Sequence, residues 1–314
     1  MYEYMLDTFS FLPIPSSDLE YGLWRYLTTQ LSWCNDANFS AQYPYIEMGL
    51  PQTFFQQKTI QVDGATYLTG PRYLAGDIRH PFIDLVASSA PLTAKAACEI
   101  LCAWQPLHPL SLRSFARPAP HHAGILDQQI YGGPLHGDSA ERDEVLLVHA
   151  DISDLSWCMK TLEVSYRETH RRLPAITPQL KPATTEDLRN SLLNNNVFII
   201  HHRNNAVGLI VCEEGLRAFL SGYWITEEVI LPEYRGMGLA AAAQRELKRL
   251  LSRKLGAGAL LGTIATGNTP SMKTAERAGR IPVLSYVFLT KAELNEWRDG
   301  TDEKNYFSQN GTTS

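Results

Sequence analysis

The stretch from Val229 to Ala240, Val-Ile-Leu-Pro-Glu-Tyr-Arg-Gly-Met-Gly-Leu-Ala, brings together residue types that can hold an anion through the backbone. Pro232 has no N–H to donate and stops a strand ladder, while Gly236 and Gly238 permit a tight turn and close backbone approach. Leu239, Ala240, Ala243, Leu247, Leu250 and Leu251 then share one helical face, with Arg245, Glu246, Lys248, Arg249 and Arg253 largely on the other. The first N–H groups of a helix lack intrahelical acceptors and sit at the positive end of its dipole. Those of Gly236, Met237, Gly238, Leu239 and Ala240 should therefore face whatever lies beyond the turn, and a pyrophosphate suits them.

The surrounding pattern supplies the elements that would position this turn. Phe219 to Leu231 reads as a long strand leading into it, Ala259 to Ala265 as a short buried strand, and Asn268-Thr-Pro-Ser271 as the start of a helix ending at Gly279. Upstream, Glu144 to His149 is a strand, and Asp151 or Ser153 caps a helix carrying Leu155, Met159 and Leu162. Thr184-Thr-Glu-Asp-Leu caps another helix running towards Asn194, and two strands, Asn196 to His202 and Ala206 to Glu213, flank the Arg203-Asn204-Asn205 turn.

Arg235-Gly-Met-Gly-Leu-Ala240 resembles the pyrophosphate-binding signature of the GNAT superfamily of N-acyltransferases, Arg/Gln-x-x-Gly-x-Gly/Ala. Asn268-x-x-Ser271 followed by Gly279 resembles that superfamily's next motif, Asn-x-x-Ser/Ala…Gly, in the same order along the chain. The resemblance covers residues 143 to about 297 and implies the order β-α-α-β-β-β-α-β-α-β. The fold class it implies is α/β (α+β): a GNAT fold with a central mixed, splayed sheet flanked by helices, plus an N-terminal α+β domain. Domains are expected at 1–140 and 143–297, with a polar tail at 298–314.

Acetyl-CoA, or another acyl-CoA, is the implied cosubstrate. Its pantetheine arm would pair with the backbone of Val229, Ile230 and Leu231, and its pyrophosphate would sit on the turn with Arg235 adding charge or bracing it. Asn268 would hydrogen-bond the arm. The implied reaction is direct attack of a primary amine of a small-molecule acceptor on the thioester. Glu227 and Glu228, just ahead of the cofactor-pairing residues, are the candidate general bases; their side chains point to opposite faces, so at most one fits. Ser271 is a candidate hydroxyl near the sulfur, with a helix-cap role as the alternative. Two positions depart from the pattern: the superfamily's tyrosine, seven residues after the Asn, is Ala275 here, and its usual Phe after the helix-ending glycine is Arg280. Tyr286 and Tyr223 are other candidate proton donors. Tyr166, Glu168 and His170, between the first two helices, are candidate acceptor-binding groups. A CoA-binding sensor or scaffold with little catalysis, and an acetyltransferase of protein amines, are the competing readings.

A net charge of -5 argues against wrapping nucleic acid, and no apolar run reaches the roughly 18 residues of a membrane span. Cys34, Cys98, Cys102, Cys158 and Cys212 read as reduced thiols and place the protein in the cytoplasm. No metal is expected: His121 and His122 are adjacent and cannot easily share an ion, and nothing at the right spacing joins His136. Residues 1 to about 140 are aromatic-rich. A helix capped by Ser16-Ser17-Asp18, a hairpin turning at Asp63-Gly64, a strand at Pro81–Val86 and a helix at Ala94–Trp104 are expected there. Leu85 to Lys95 loosely resembles Ile264 to Lys273, so this half is either a decayed copy of the acyltransferase fold or an unrelated α+β accessory domain. Ala116 to Arg142, rich in Pro, Gly and His, reads as a linker.

Overall fold

In a computed structural model of the chain, which describes residues 1–119, 124–136, 145–255 and 258–294, the elements form two compact units. Each unit draws on separated segments. Of the described residues, the first comprises 1–119, 124–127, 217–220 and 284–294; the second comprises 128–136, 145–216, 221–255 and 258–283. The proposed domain limit at 140/143, His121 and His122, and the proposed tail lie outside the described residues.

Unit 1 starts with three helices, α1 (Tyr2–Thr8), α2 (Ser16–Ser32) and α3 (Ala37–Ala41). Strands β1 (Lys58–Val62), β2 (Ala65–Tyr73) and β3 (Pro81–Ser88) follow in antiparallel order, then α4 (Ala94–Ala103) and β4 (Ser111–Ala116). The hairpin turns at Asp63-Gly64, both at positive φ, as the sequence suggests. Strand β4 runs parallel to β3 and, on its other edge, antiparallel to the end of β11 (Ile281–Thr290). Ser16, Ser17 and Asp18 do not cap α2: Pro15 holds the cap position and no side-chain cap bond forms, because its ring carries no oxygen to accept from the first backbone N–H groups.

Unit 2 contains β5 (Ile125–Pro134) from Gln128 on, β6 (Val145–His149), α5 (Leu155–Arg172), α6 (Thr185–Leu193), β7 (Val197–His202) and β8 (Asn205–Arg217). It continues with β9 (Leu220–Ile230), α7 (Leu239–Leu255), β10 (Ala259–Ala265), α8 (Thr269–Arg277) and the start of β11. From β6 to β11 this is the expected order. Its strands lie in the order β5-β10-β9-β8-β7-β6. The linker expectation fails at β5, which pairs antiparallel with β10 from Pro134↔Ala259 to Gln128↔Ala265. Its run Asp127-Gln-Gln-Ile-Tyr131 is strand-like in Ile and Tyr, but the Pro, Gly and His around it dominate the composition.

Alternation across the strands builds two cores in unit 2. Val197 and Ile199 join Cys158, Leu162, Leu188 and Val229 beneath α5 and α6, while Phe198 and Ile200 join Ala243, Leu247 and Ile230 beneath α7. Glu227 therefore shares a face with Val229, towards α5 and α6, and Glu228 shares one with Ile230, towards α7. Asp151 caps the turn before α5 in a capping box with Asp154, and Thr184 caps α6 in one with Asp187. All five cysteines are free thiols, and no helix among the described residues is long and apolar enough to cross a membrane.

Candidate active site

Parallel strands β9 and β10 pair at Tyr223↔Leu260 and Trp224↔Leu261 and, among the described residues, no further. Beyond that point they separate, and a cavity of about 480 Å³ opens in the fork. It reaches from Gly236, Gly238 and Ala240 at the wide end to Ile225 and Gly262 near the apex.

The wide end is built as an anion cradle. Gly236 and Gly238 have φ of 83° and 78°, and a Cβ at either would meet nothing within 4 Å, so the backbone is open to a bulky group. Ala242 N–H, bonded to Gly238 O at 3.1 Å, is the first donor here to find an acceptor. Among the described residues none is found for the N–H groups of Gly236 to Ala240. These orphaned donors at a helix N-terminus suit a pyrophosphate. Met237 is exposed, and Leu239 is buried on the α7 core. Arg235 braces the turn: its Nε donates to Ile230 O at 3.0 Å and an Nη donates to Ser165 O at 2.8 Å and to Thr169 Oγ1 at 3.2 Å. Leu231 N–H is already bonded to Val207 O, while Val229 and Ile230 line the cavity.

The two glutamates occupy different settings. Glu227 is buried; its Oε2 accepts from Tyr166 Oη–H at 2.8 Å and its Oε1 from Ala183 N–H at 2.7 Å. Burial pushes its carboxyl up to about 7 against the lowering pull of both hydrogen bonds. Glu228 Oε2 accepts from Gln244 Nε2 at 2.7 Å, and burial again pushes the carboxyl up to about 7, opposed by the charge of Arg280 and by the Gln244 bond. Both line the fork, from opposite faces of β9.

Asn268 is the N-cap of α8, its Oδ1 accepting from Ser271 N–H at 3.4 Å, and both residues line the cavity. Tyr223 and Tyr286 do not. Tyr286 belongs to unit 1, and Tyr223 lies at the paired end of β9. Packing explains Ala275, which is fully buried against Tyr131, Ile264 and Met272, so Tyr131 of β5 takes up space there. Of the three candidate acceptor-binding groups, Tyr166 lines the cavity. His170 Nε2 lies 2.7 Å from Leu180 O, and Glu168 is held well below the usual carboxylate range, at about 2, by Arg171 and Arg172. Sequence reasoning missed Gln244, whose place on the apolar stripe of α7 was the available signal, and the Ala183 N–H, which carried none.

No protein-family model matches the sequence, and no curated protein matches it. Among solved structures the chain is similar to a GCN5-related N-acetyltransferase from Sphaerobacter thermophilus, at 12% identity over 72% of this chain and 76% of that one, with a TM-score of 0.49. It is also similar to a GNAT-family acetyltransferase from Colwellia psychrerythraea, at 11% identity over 89% and 98%, TM-score 0.49. A Drosophila protein matches at 13% identity over 93% and 96%, TM-score 0.43. The order of its elements, the parallel pair that separates and the glycine turn that opens α7 give unit 2 a GNAT-like mixed α/β fold.

Proposed function

We propose that the protein is a cytoplasmic N-acyltransferase that moves an acetyl or other short acyl group from acyl-CoA to a primary amine of a small molecule. The observation that carries this reading is a single cavity joining the glycine cradle to a buried carboxyl with an affinity for protons near neutrality. The pyrophosphate lies on the N–H groups of Gly236 to Ala240, and the arm runs between β9 and β10 towards Glu227. The amine nitrogen attacks the thioester carbonyl carbon, the C–S bond breaks, Glu227 takes the amine proton directly or through a water, and the thiolate is protonated from solvent. Tyr166 and Ala183 N–H hold the Glu227 carboxylate in place, and much of the rate comes from holding the two reactants together. Glu227 is preferred to Glu228 as the base because it faces the α5 side of the fork, where Tyr166, Leu173 and Leu180 line the cavity, whereas Glu228 faces α7.

The test is release of CoA thiol from acetyl-CoA with a panel of amino acids, polyamines, aminoglycosides and short peptides. Release that depends on one class of amine and is lost in Glu227→Gln supports the reading. Release with peptides alone moves the acceptor to protein amines. The buried Ala275 in place of a tyrosine donor favours a second reading, a CoA-binding module with little catalysis. A rise in Tm with acetyl-CoA but no release with any amine supports that one instead.

A further inference from the structure

The α7 side of the fork is polar where a sheet-to-helix interface is ordinarily apolar. Arg280, just past α8, donates from Nε to Gln244 Oε1 at 3.0 Å, and Gln244 Nε2 donates to Glu228 Oε2 at 2.7 Å. Gln244 is fully buried and Arg280 is 3% exposed. Each end of this chain carries a further polar atom shielded from solvent, Glu228 Oε1 and Arg280 Nη1. Neither has a hydrogen-bond partner among the described residues. Glu228 and Arg280 both line the cavity.

The position of the guanidinium is specific. A Cβ on Gly262 would stand 2.8 Å from Arg280 Nη1, so the head group lies against the backbone of β10 one residue past the last paired position, Leu261↔Trp224. That is the apex of the fork. A buried ion pair bridged by an amide, with a donor and an acceptor left over, is a poor way to fill a core; apolar side chains of similar volume serve stability as well or better. The leftover pair makes sense if something in the cavity completes it.

We propose that Glu228, Gln244 and Arg280 form the subsite for the far end of the acyl group, and that they select a short acyl chain bearing a hydroxyl over a plain alkyl chain. The inference rests on the acyl-CoA reading above. With the pyrophosphate at the wide end and the carbonyl beside Glu227, a tail of a few bonds extends towards the apex on the α7 side. A hydroxyl there accepts from Arg280 Nη1 and donates to Glu228 Oε1, satisfying both atoms with one group. An alkyl tail of equal length leaves both unpaired, which is the situation in which a polar site discriminates strongly. These residues touch no reacting atom; they determine specificity.

The test compares 3-hydroxybutyryl-CoA with butyryl-CoA, as acyl donors and as ligands in thermal shift. The expected result is a kcat/KM roughly tenfold or more higher for the hydroxylated thioester in the parent. The preference should disappear in Arg280→Met and be partly kept in Arg280→Lys. Equal handling of the two thioesters by the parent overturns the proposal, as does an Arg280→Met variant that loses both equally. Should Arg280→Met fail to fold, the parent alone decides: a larger rise in Tm with 3-hydroxybutyryl-CoA than with butyryl-CoA supports the subsite. Equal rises remove the subsite and leave the cofactor site standing. No rise with CoA or either thioester removes both.

Discussion

The two units contain the same local device and leave it in different states. In unit 1 the parallel strands β3 and β4 pair at Ile83↔Leu112 and Asp84↔Arg113 and then separate, as β9 and β10 do in unit 2 after two pairs. The unit 1 fork is filled. Met5 of α1 and Phe9 just past its end are buried against its strands, leaving a cavity of about 20 Å³ beside Leu85, Val86 and Phe115, and the Tyr26 hydroxyl donates to Val86 O at 3.2 Å. The helix that follows is closed as well: Thr93 Oγ1 accepts from Ala96 N–H at 3.1 Å, and no glycine lies between Ser89 and Thr93. In unit 2 the fork holds about 480 Å³ and the helix N-terminus is left to a ligand. A separated parallel pair is scaffold. It becomes a site where side chains neither plug the gap nor cap the helix behind it.

The largest way to sharpen this contrast is to remove the base from the open fork. Glu227→Gln should lower kcat by about 10²–10⁴-fold in CoA-thiol release. In the parent, activity should rise with pH through about 7, as Glu227 loses its proton, and the variant should lose that limb. A Glu227→Gln enzyme with parental kcat breaks the assignment.

Cofactor binding should follow the backbone. Calorimetry should find one CoA per chain in the parent, and Gly238→Val should weaken it by about 100-fold, since a β-branched residue is strained at a φ of 78°. Two CoA molecules per chain would mean that the filled fork of unit 1 opens, and the comparison would fail.

The buried carboxyls also set a pH dependence of stability. Both are raised from 4.5 to about 7, so their contribution is intact below about 4.5 and is lost as pH rises through about 7. Each ionisation costs at most about 3 kcal/mol, and Glu228→Gln should lose less Tm than the parent between pH 5 and pH 8. A parallel loss in both proteins would show that Glu228 ionises without penalty.

The smallest effect is expected in the closed fork. Met5→Ala should cost about 2–3 kcal/mol, read from the denaturant midpoint, because it empties a buried contact of α1 without supplying a glycine cradle. CoA stoichiometry should stay at one. A second equivalent in Met5→Ala would show that the plug alone separates the two units.

Much of unit 2 was legible in the sequence because its signals are local. Asp151 and Thr184 announce their helices, a short apolar run marks β7, and the glycine turn announces α7, all within a few residues of the feature they create. In unit 1 the likeness of Leu85–Lys95 to Ile264–Lys273 is one of residue types only, and the two stretches sit in different strand pairings. In the structure β3 and α4 lead to a strand parallel to β3, as β9 and α7 lead to β10, whereas β10 and α8 lead to β11, which pairs antiparallel with β4. Strand β5 was hidden for a different reason: polar Asp127, Gln128 and Gln129 do not read as a strand, and what makes them one lies outside the stretch, Arg113 holding Asp127 and β10 pairing Gln128 with Ala265 and Gln129 with Ile264.

By itself the sequence determined the elements, their order and the open backbone at Gly236 and Gly238, since helix periodicity, caps and positive-φ glycines depend on near neighbours. Tertiary structure alone decided which glutamate meets Tyr166 and which meets Gln244, that Arg235 reaches Ser165 and Thr169, and that one fork is plugged while the other is open. Those hydrogen bonds join residues 16 to 70 positions apart. The chain settles them only when the whole set of faces is buried together, because one strand's alternation says which side chains share a face but not what will be packed against it.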